Sequence, residues 1–293
     1  MEKLLEIKNL ETAFRIKDDY FNAVDKVSLD LYKNEVLAIV GESGCGKSTL
    51  ATTIMRLHNE NLTKSTGEII FNGKNILDLT EDEMNKIRTK DIGMIFQDPL
   101  SSLNPLHRIG KQIEEALIYH TELSAEERQK RVIELLTQVG IPNPERCAKQ
   151  YPHELSGGMR QRVMIAMAMS CKPSVLIADE PTTALDVTIQ AQILDLIKGL
   201  QAEMHAGIIL ITHDLGVVAE MADRVAVLYA GEVVEIGTAE QIFKNPKHPY
   251  TRSLLRSIPQ LDDEDASDDL YVIQGMVPSL KTLDRQGCRF ANR

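Results

Sequence analysis

Tryptophan is absent from this chain of 293 residues, and aromatic residues make up only 4% of it. Aliphatic side chains must therefore form the hydrophobic core. Cysteine is also scarce, and the spacing of the cysteines shows no pattern that would pair them: Cys45, Cys147, Cys171 and Cys288. We expect reduced thiols in a cytosolic setting rather than a disulfide framework.

The chain also lacks long apolar runs and an excess of basic residues. No stretch approaches the roughly 18–20 apolar residues needed to cross a bilayer, so we expect any membrane pore to belong to another chain. The amino terminus has no apolar core of the length found in signal peptides. A formal net charge of −10 argues against nucleic-acid binding. With 43% hydrophobic and 26% charged residues, the composition fits one large α/β domain with a small appendage.

Short aliphatic runs alternate with helical patterns along the chain. Four continuous apolar segments are typical of parallel strands that helices cover on both faces: 36–40, 175–178, 208–211 and 225–228. Three other segments alternate apolar and polar residues and predict an antiparallel subdomain: 4–10, 27–31 and 67–71. The sequence therefore predicts an α/β fold with a second, antiparallel sheet.

Strand signals vanish between about residues 98 and 171, which predicts a helical subdomain inserted into the sheet domain. Ser124 and Glu127 form a capping-box pattern at the start of residues 125–139, whose apolar residues have helical spacing. Gly140 is expected to end this helix. After Gly237 the patterns weaken, and the acidic stretch 262–269 predicts a solvated turn or linker.

A first glycine-rich motif follows the apolar run 36–40 and precedes a helix predicted from about Lys47 to Leu57. It consists of Gly41, Glu42, Ser43, Gly44, Cys45, Gly46, Lys47 and Ser48. Backbone N–H groups of such a loop wrap phosphates, the lysine reaches the outer phosphates, and the final hydroxyl binds Mg²⁺. This motif predicts a nucleoside-triphosphate site.

A second glycine motif precedes another helical pattern: Leu155, Ser156, Gly157, Gly158, Met159, Arg160, Gln161 and Arg162. Glycines allow close backbone approach, and a helix amino terminus attracts an anion. A chain with two phosphate-binding turns has either two nucleotide sites or two halves of a shared site.

Two carboxylates end the apolar run 175–178. Asp179 is placed to hold Mg²⁺ beside the Ser48 hydroxyl, and Glu180 to polarise a water aimed at the γ-phosphate. Gln97 and His213 also follow apolar runs, but such residues are more often surface or capping groups. Asp186 fits equally well as the N-cap of a helix that begins near residue 187.

The order of these features along the chain resembles that of the ATP-binding cassette family of transporter ATPases: the first glycine motif, Gln97, the second glycine motif, the acidic pair, residues 184–186 and His213. The resemblance covers about residues 4–240. It implies a P-loop NTPase fold with a mixed-sheet core, an antiparallel β subdomain and an inserted helical subdomain at about 98–171. It also implies an ATPase domain over 1–240 and a short C-terminal extension over 241–293.

The resemblance assigns roles that the residues alone leave open. It implies catalytic roles for Glu180, His213, Gln97 and Lys47. It implies that Phe14 stacks on the adenine of ATP, with Tyr20 and Phe21 as the alternatives. Further ATP contacts are implied for Gly41, Glu42, Ser43, Gly44, Cys45, Gly46, Lys47, Ser48 and Thr49. It implies Mg²⁺ ligands at Ser48, Gln97 and Asp179. It implies that the ATP of a partner subunit is contacted by Leu155, Ser156, Gly157, Gly158, Gln161 and Asp186.

Two longer strings resemble the subfamily that imports oligopeptides, dipeptides or nickel: residues 97–105 and 245–251. This implies an ATPase at the cytoplasmic face of a bacterial membrane. Its partners would be two permeases, a second, non-identical ATPase, and an extracellular substrate-binding protein. In that subfamily, a segment opening like residues 287–291 can lead to an iron–sulfur cluster, but Cys288 alone cannot hold one. We expect the extension to be truncated at Arg293.

Other classes fit the residues less well. A P-loop GTPase shows an Asn-Lys-x-Asp guanine reader and a kinase needs an acceptor lid, and neither uses the second glycine motif. Non-transport cassette ATPases carry coiled-coil insertions or tandem cassettes, which are not seen. A regulatory subunit without catalysis conflicts with intact Lys47, Asp179, Glu180 and His213. Within the subfamily, a nickel importer remains the alternative to a peptide importer.

Overall fold

The structure, a computed structural model, describes residues 2–183, 185–257, 271–285 and 287–293. It divides into two compact units. The first comprises Met1–Leu4, Tyr32–Asn34 and Asp78–Ile209, and the second comprises Leu5–Leu31, Glu35–Leu77 and Leu210–Arg293.

Ten strands lie in the described residues: β1 Lys3–Ile16, β2 Asp19–Tyr32, β3 Val36–Val40, β4 Thr63–Phe71, β5 Lys74–Asn75, β6 Ile92–Ile95, β7 Val175–Asp179, β8 Gly207–Ile211, β9 Arg224–Tyr229 and β10 Glu232–Thr238. Eleven α-helices lie there as well: α1 Lys47–Ile54, α2 Glu81–Ile87, α3 Pro99–Ser102, α4 Ile109–His120, α5 Ala125–Gln138, α6 Pro144–Cys147, α7 Gly157–Ala168, α8 Val187–Met204, α9 Leu215–Met221, α10 Ala239–Lys244 and α11 Pro249–Arg256.

The strands form two sheets, as the alternation of apolar patterns predicts. The larger has the order β10-β9-β3-β8-β7-β6 and the smaller the order β2-β1-β4-β5. In the larger sheet β3 pairs with β9 and β6 with β7 in parallel, whereas β9 and β10 are antiparallel. In the smaller sheet β1 pairs antiparallel with β4, with Leu5 opposite Phe71. The predicted α/β fold with a mixed sheet and an antiparallel sheet is confirmed.

Burial explains the apolar runs of the sequence. Every residue of β3, β7 and β8 is buried. Strands buried on both faces have no solvent side on which polar residues could alternate. Some candidate site residues directly follow these strands: Gly41 follows β3, Glu180 follows β7, and His213 comes two residues after the end of β8.

The region between β6 and β7 is helical, as predicted, and contains α3 to α7. Helix α5 begins at the capping box, in which Ser124 accepts the amide of Glu127 and Glu127 accepts the amide of Ser124. One boundary differs from the prediction. Helix α1 ends at Ile54 rather than near Leu57, because Arg56 adopts a positive φ of 48° that cannot continue a right-handed helix.

The C-terminal extension packs within the second unit. Helix α11 and residues 271–293 contribute Tyr250 and Phe290 to an apolar cluster that also contains Tyr229 of β9. The acidic linker predicted at 262–269 lies outside the described residues. Among the residues that are described, no helix combines the length and apolarity needed to span a bilayer.

Candidate functional site

The loop between β3 and α1 requires glycine at two positions where backbone approaches backbone. At Gly41 (φ 154°) an added Cβ would lie 2.2 Å from the carbonyl oxygen of Leu228. At Gly46 (φ 109°) it would lie 2.5 Å from the carbonyl oxygen of Ala23. No larger side chain fits at either position without moving main chain. The glycine pattern of the sequence thus has a steric cause in this fold.

The amino terminus of α1 is built to receive an anion. Its N-cap, Gly46, supplies no side-chain cap, and the first turn carries no acidic residue. The first N–H groups of a helix have no intrahelical acceptors, and the helix dipole adds a partial positive charge there. At Gly44 (φ 79°) an added Cβ would meet no atom within 4 Å, so the loop is open at its middle. These features fit a phosphate group.

Lys47 is folded into the loop that precedes it. Its side chain is buried, and its ammonium donates to the carbonyl oxygens of Gly41 at 2.7 Å and Glu42 at 3.1 Å. Ser48 and Thr49 follow in the first turn of α1, with Ser48 exposed. Burial raises the pKa of the Cys45 thiol, so this side chain is a neutral packing group in the loop.

Phe14 lies near the end of β1 and packs edge-to-face on His58, with ring centroids 5.2 Å apart. His58 also lies within hydrogen-bonding distance of the carbonyl oxygen of Thr49, at 3.2 Å. Burial lowers the pKa of His58, so its ring is neutral at physiological pH. The structure therefore links Phe14, through His58, to the first turn of α1. Its predicted contact with adenine stays a prediction.

His213 follows β8 and is exposed. The residue before it, Thr212, donates its amide to the carbonyl of Ile39 in β3 at 3.4 Å. His213 thus lies next in the chain to a residue bound near the carboxyl end of β3, where the glycine loop begins. Asp214, the next residue, caps α9 by accepting the amides of Gly216 and Val217.

In the first unit, the parallel pairing of β6 and β7 brings Gln97 to the acidic pair. The amide nitrogen of Gln97 donates to a carboxylate oxygen of Glu180 at 2.8 Å. The hydroxyl of Thr183 donates to the same oxygen at 3.0 Å. Asp179 is the buried last residue of β7, and Glu180 adopts a positive φ of 47°. Two neutral donors therefore orient the Glu180 carboxylate at a turn that follows a rigid strand.

The second glycine motif opens a helix rather than preceding one. Helix α7 begins at Gly157, inside the motif, and Ser156 is its N-cap, accepting the amide of Met159 at 3.3 Å. A Cβ on Gly158 would lie 3.1 Å from the side chain of Ile189 in α8, so glycine allows close packing of the two helices. Ser156 and Gly157 are exposed. They present a helix amino terminus to solvent.

The other residues predicted to contact the ATP of a partner subunit differ in exposure. Leu155 is 4% and Gln161 2% exposed, so both side chains face the interior of this chain. The side-chain nitrogen of Gln161 has no hydrogen-bond partner among the described residues. Asp186 is exposed and caps α8 by accepting the amide of Ile189 at 3.0 Å, as the N-cap interpretation predicted. Contacts of these residues with a partner's nucleotide stay predictions.

Sequence reasoning missed contacts that reach the site from far along the chain. The Tyr250 hydroxyl accepts the backbone N–H of Glu42, and the Arg293 guanidinium binds the Glu42 carboxylate. Thr183, which binds Glu180, was also missed. The string 245–251 had marked the region of Tyr250, but no local pattern links it to a loop 208 residues earlier.

The predicted ligands carry donors of the kind that their groups prefer, and their assembly into one site stays a prediction. The open loop at Gly44 and the uncapped amino terminus of α1 suit a polyphosphate. In the second unit Ser48 carries a hydroxyl, and in the first unit Gln97 carries an amide oxygen and Asp179 a carboxylate. These are the oxygen donors that Mg²⁺ prefers, usually in company with substrate phosphates and water.

Comparison with known families gives two matches that together span most of the chain. Residues 24–183 match the family described as ABC transporter. Residues 234–293 match the family described as oligopeptide/dipeptide transporter, C-terminal region.

Individual proteins match over nearly the whole chain. The oligopeptide transport ATP-binding protein OppD of Lactococcus lactis subsp. cremoris (strain SK11) is 58% identical over 97% of this chain and 83% of its own length. The dipeptide transport ATP-binding protein DppD of Bacillus subtilis (strain 168) is 53% identical over 100% of this chain and 87% of its own. Among solved structures, a dimeric ATP-binding cassette in a post-hydrolysis state with ADP and phosphate superposes with a TM-score of 0.72. It is 33% identical, and the match covers 80% of this chain and 99% of that one.

Proposed function

Because the chain belongs to the ATP-binding cassette family of transporter ATPases, in its oligopeptide/dipeptide branch, we propose that it powers the import of di- or oligopeptides across a bacterial membrane. The chain is an ATPase. The observation that carries the choice of cargo is the match of residues 234–293 to the C-terminal region named for oligopeptide and dipeptide transporters. Nickel import by the same subfamily is the alternative, and a non-transport cassette ATPase is a more distant one.

The chain's own residues account for the hydrolytic step. The amides of the glycine loop and of α1 hold the phosphates of ATP, and Lys47 turns from the loop carbonyls toward the outer phosphates. A water oxygen attacks the γ-phosphorus, and Glu180 takes the water's proton. The bond between the γ-phosphorus and the bridging oxygen breaks, giving ADP and phosphate.

Four further residues position the reacting groups or the metal ion. Gln97 orients Glu180 through their 2.8 Å hydrogen bond. His213, exposed after β8, stabilises charge on the γ-phosphate. Ser48, Gln97 and Asp179 would hold Mg²⁺, which neutralises charge on the phosphate oxygens when bound.

The second glycine motif supports a shared site. The chain has one phosphate loop of the kind found at residues 41–48. The exposed helix amino terminus at Ser156 and Gly157 supplies donors for the phosphate of another nucleotide. We infer that two ATPase subunits face each other, so that this terminus closes on the ATP of the partner and Asp186 lies beside it. Hydrolysis then reopens the pair, since ADP offers fewer contacts across the interface.

The assembly proposed around this chain contains two permeases, a second and non-identical ATPase, and an extracellular substrate-binding protein. The chain lies on the cytoplasmic face of the membrane. The permeases dock beside Gln97 and the helical region, where α3 follows directly and begins at Pro99. Coupling through Gln97 connects that surface to the Glu180 carboxylate.

The catalytic part of the proposal is tested by Glu180→Gln. Because the amide cannot accept the water's proton, we expect ATP turnover to fall by about 100-fold or more, while ATP binding persists and the ATP-bound dimer accumulates. The matched control is Glu220→Gln, which makes the same carboxylate-to-amide change at an exposed residue of α9, and we expect it to retain turnover. Phosphate release and size-exclusion chromatography with ATP measure the two effects. Unchanged turnover in Glu180→Gln would contradict the assignment of Glu180 as the acceptor of the water's proton.

The cargo is tested by uptake. A bacterial strain that lacks the chain is complemented with the wild type or with Lys47→Ala, and the uptake of labelled dipeptide, longer peptide and nickel ions is measured. We expect peptide uptake with the wild type alone. Restored nickel uptake without peptide uptake would favour the alternative.

A further inference from the structure

Glu42, the second residue of the phosphate loop, is held at its main chain and its side chain by the C-terminal extension. Its backbone N–H donates a hydrogen bond of 2.9 Å to the hydroxyl of Tyr250. Its carboxylate accepts two hydrogen bonds from the guanidinium of Arg293, at 2.7 and 3.1 Å. Paired bonds of this kind fix the orientation of a carboxylate as well as its position.

Tyr250 is a rigid anchor for that amide. It is fully buried at the start of α11, and its ring centroid lies 4.5 Å from that of Tyr229 and 5.3 Å from that of Phe290. Burial raises the pKa of Tyr250 far above its ordinary value, so the hydroxyl stays neutral. A buried ring packed against two others has little freedom to follow a moving loop. The start of the phosphate loop is therefore tied to a fixed point.

Arg293 is anchored just as firmly. Its side chain is only 7% exposed. The guanidinium donates to the main-chain carbonyl oxygens of Gln274 at 2.7 Å and Gly275 at 3.1 Å, besides its bonds to Glu42. The position of the segment around Gly275 is therefore transmitted to the loop.

Arg289 connects the extension to the same loop at a second point. Its guanidinium binds the carboxylate of Asp25 and the carbonyl oxygen of Ala230. The amide of Gly231, the next residue, donates at 2.9 Å to the carbonyl of Cys45 inside the phosphate loop. The extension thus contacts the loop at two points, directly at Glu42 and through the turn at Ala230 and Gly231 at Cys45.

Charge gives the direct contact a consequence for ligand binding. A carboxylate in a loop that receives a polyphosphate repels its ligand, and Glu42 is such a carboxylate. We propose that the C-terminal extension is a positioning element of the nucleotide site: Tyr250 fixes the amide of Glu42, and Arg293 neutralises and orients its carboxylate. The proposal rests on the ATPase function proposed above. Both residues act through Glu42 and touch no reacting atom.

Titration of the full chain with a methylanthraniloyl ATP analogue tests this, because binding is read without turnover and the chain has no tryptophan emission. Arg293→Gln leaves the Glu42 carboxylate unpaired, and we expect about tenfold weaker binding, or ~1.4 kcal/mol. Adding Glu42→Gln removes the repelling charge and restores binding to within about twofold of the wild type. The matched control is Arg252→Gln. Arg252 is an exposed arginine of α11 whose guanidinium donates to the carbonyl oxygen of Pro246, and we expect this variant to bind the analogue as the wild type does.

A second variant keeps the test decisive if Arg293→Gln folds poorly. Tyr250→Phe removes the acceptor of the Glu42 amide and keeps the ring packing, and we expect about threefold to tenfold weaker binding with little change in unfolding temperature. The proposal would be overturned if the double variant Glu42→Gln/Arg293→Gln bound the analogue as weakly as Arg293→Gln alone. Wild-type affinity in both single variants, while Lys47→Ala has lost binding, would also overturn it. If the wild type itself does not bind the analogue, the proposed ATPase function fails as well.

Discussion

Replacing Gly46 with alanine tests whether steric fit of the phosphate loop controls nucleotide binding. Gly46 has a φ of 109°, and a Cβ would lie 2.5 Å from the carbonyl oxygen of Ala23. Positive φ costs an L-residue about 1–2 kcal/mol, and overpacking against immobile atoms costs about 1–3 kcal/mol more. We therefore expect Gly46→Ala to lower the free energy of unfolding by about 2–5 kcal/mol, with the loop displaced.

The hairpin turn between β4 and β5 offers a matched control. Gly73 also has a positive φ, 76°, but a Cβ there meets no atom within 4 Å. Gly73→Ala therefore carries the backbone strain of about 1–2 kcal/mol without the collision. The difference between the two variants isolates the contact with Ala23.

Two measurements read the outcome. Urea unfolding gives the stability of each variant, and titration with a fluorescent ATP analogue gives its affinity. Because several backbone donors move when the loop is displaced, we expect the Gly46→Ala variant to bind the ATP analogue at least about tenfold more weakly than the wild type. The Gly73→Ala variant is expected to bind the analogue as the wild type does. Equal stability losses in the two variants, or unchanged affinity in Gly46→Ala, would refute the steric argument.

Two further predictions address partnership and pH. Ser156→Arg is expected to abolish turnover of the partner's ATP and leave analogue binding at this chain's own loop intact; a loss of that binding would count against a shared site. The pKa of Glu114 is lowered by its hydrogen bond from Lys111, against burial and with help from Arg128. Its contribution is therefore complete above its ordinary pKa of 4.5 and disappears as the pH falls through the lower folded-state pKa. The unfolding temperature of Glu114→Gln should fall below that of the wild type at pH 7, and the gap should close in acid; a gap that stays constant with pH would contradict this.

Local patterns predict most of the elements because their causes are local. Buried strands have no polar face, so their apolar runs can be read directly, as β3 and β7 show. The capping box at Ser124 and the N-cap at Asp186 were predictable for the same reason, since each bond joins residues three positions apart. The early end of α1 was not predictable, because nothing local to Arg56 announces its positive φ.

Contacts between distant segments could not be read from the sequence. The bond from Gln97 to Glu180 joins residues 83 positions apart and depends on the parallel pairing of β6 with β7. The bonds from Glu42 to Tyr250 and Arg293 span 208 and 251 positions. The types of these residues indicate that each can donate or accept, but only the fold selects the partner.

The two glycine motifs solve different problems at the start of a helix. The amino terminus of α1 has no side-chain cap, so its N–H groups remain available to a phosphate bound by the same chain. The amino terminus of α7 is capped by Ser156, which accepts the amide of Met159. A hydroxyl that accepts one bond can still donate its own proton, so Ser156 stabilises its helix and offers a donor outward at once. A self-capped terminus keeps its shape without ligand, as the proposed contact with a partner's nucleotide requires.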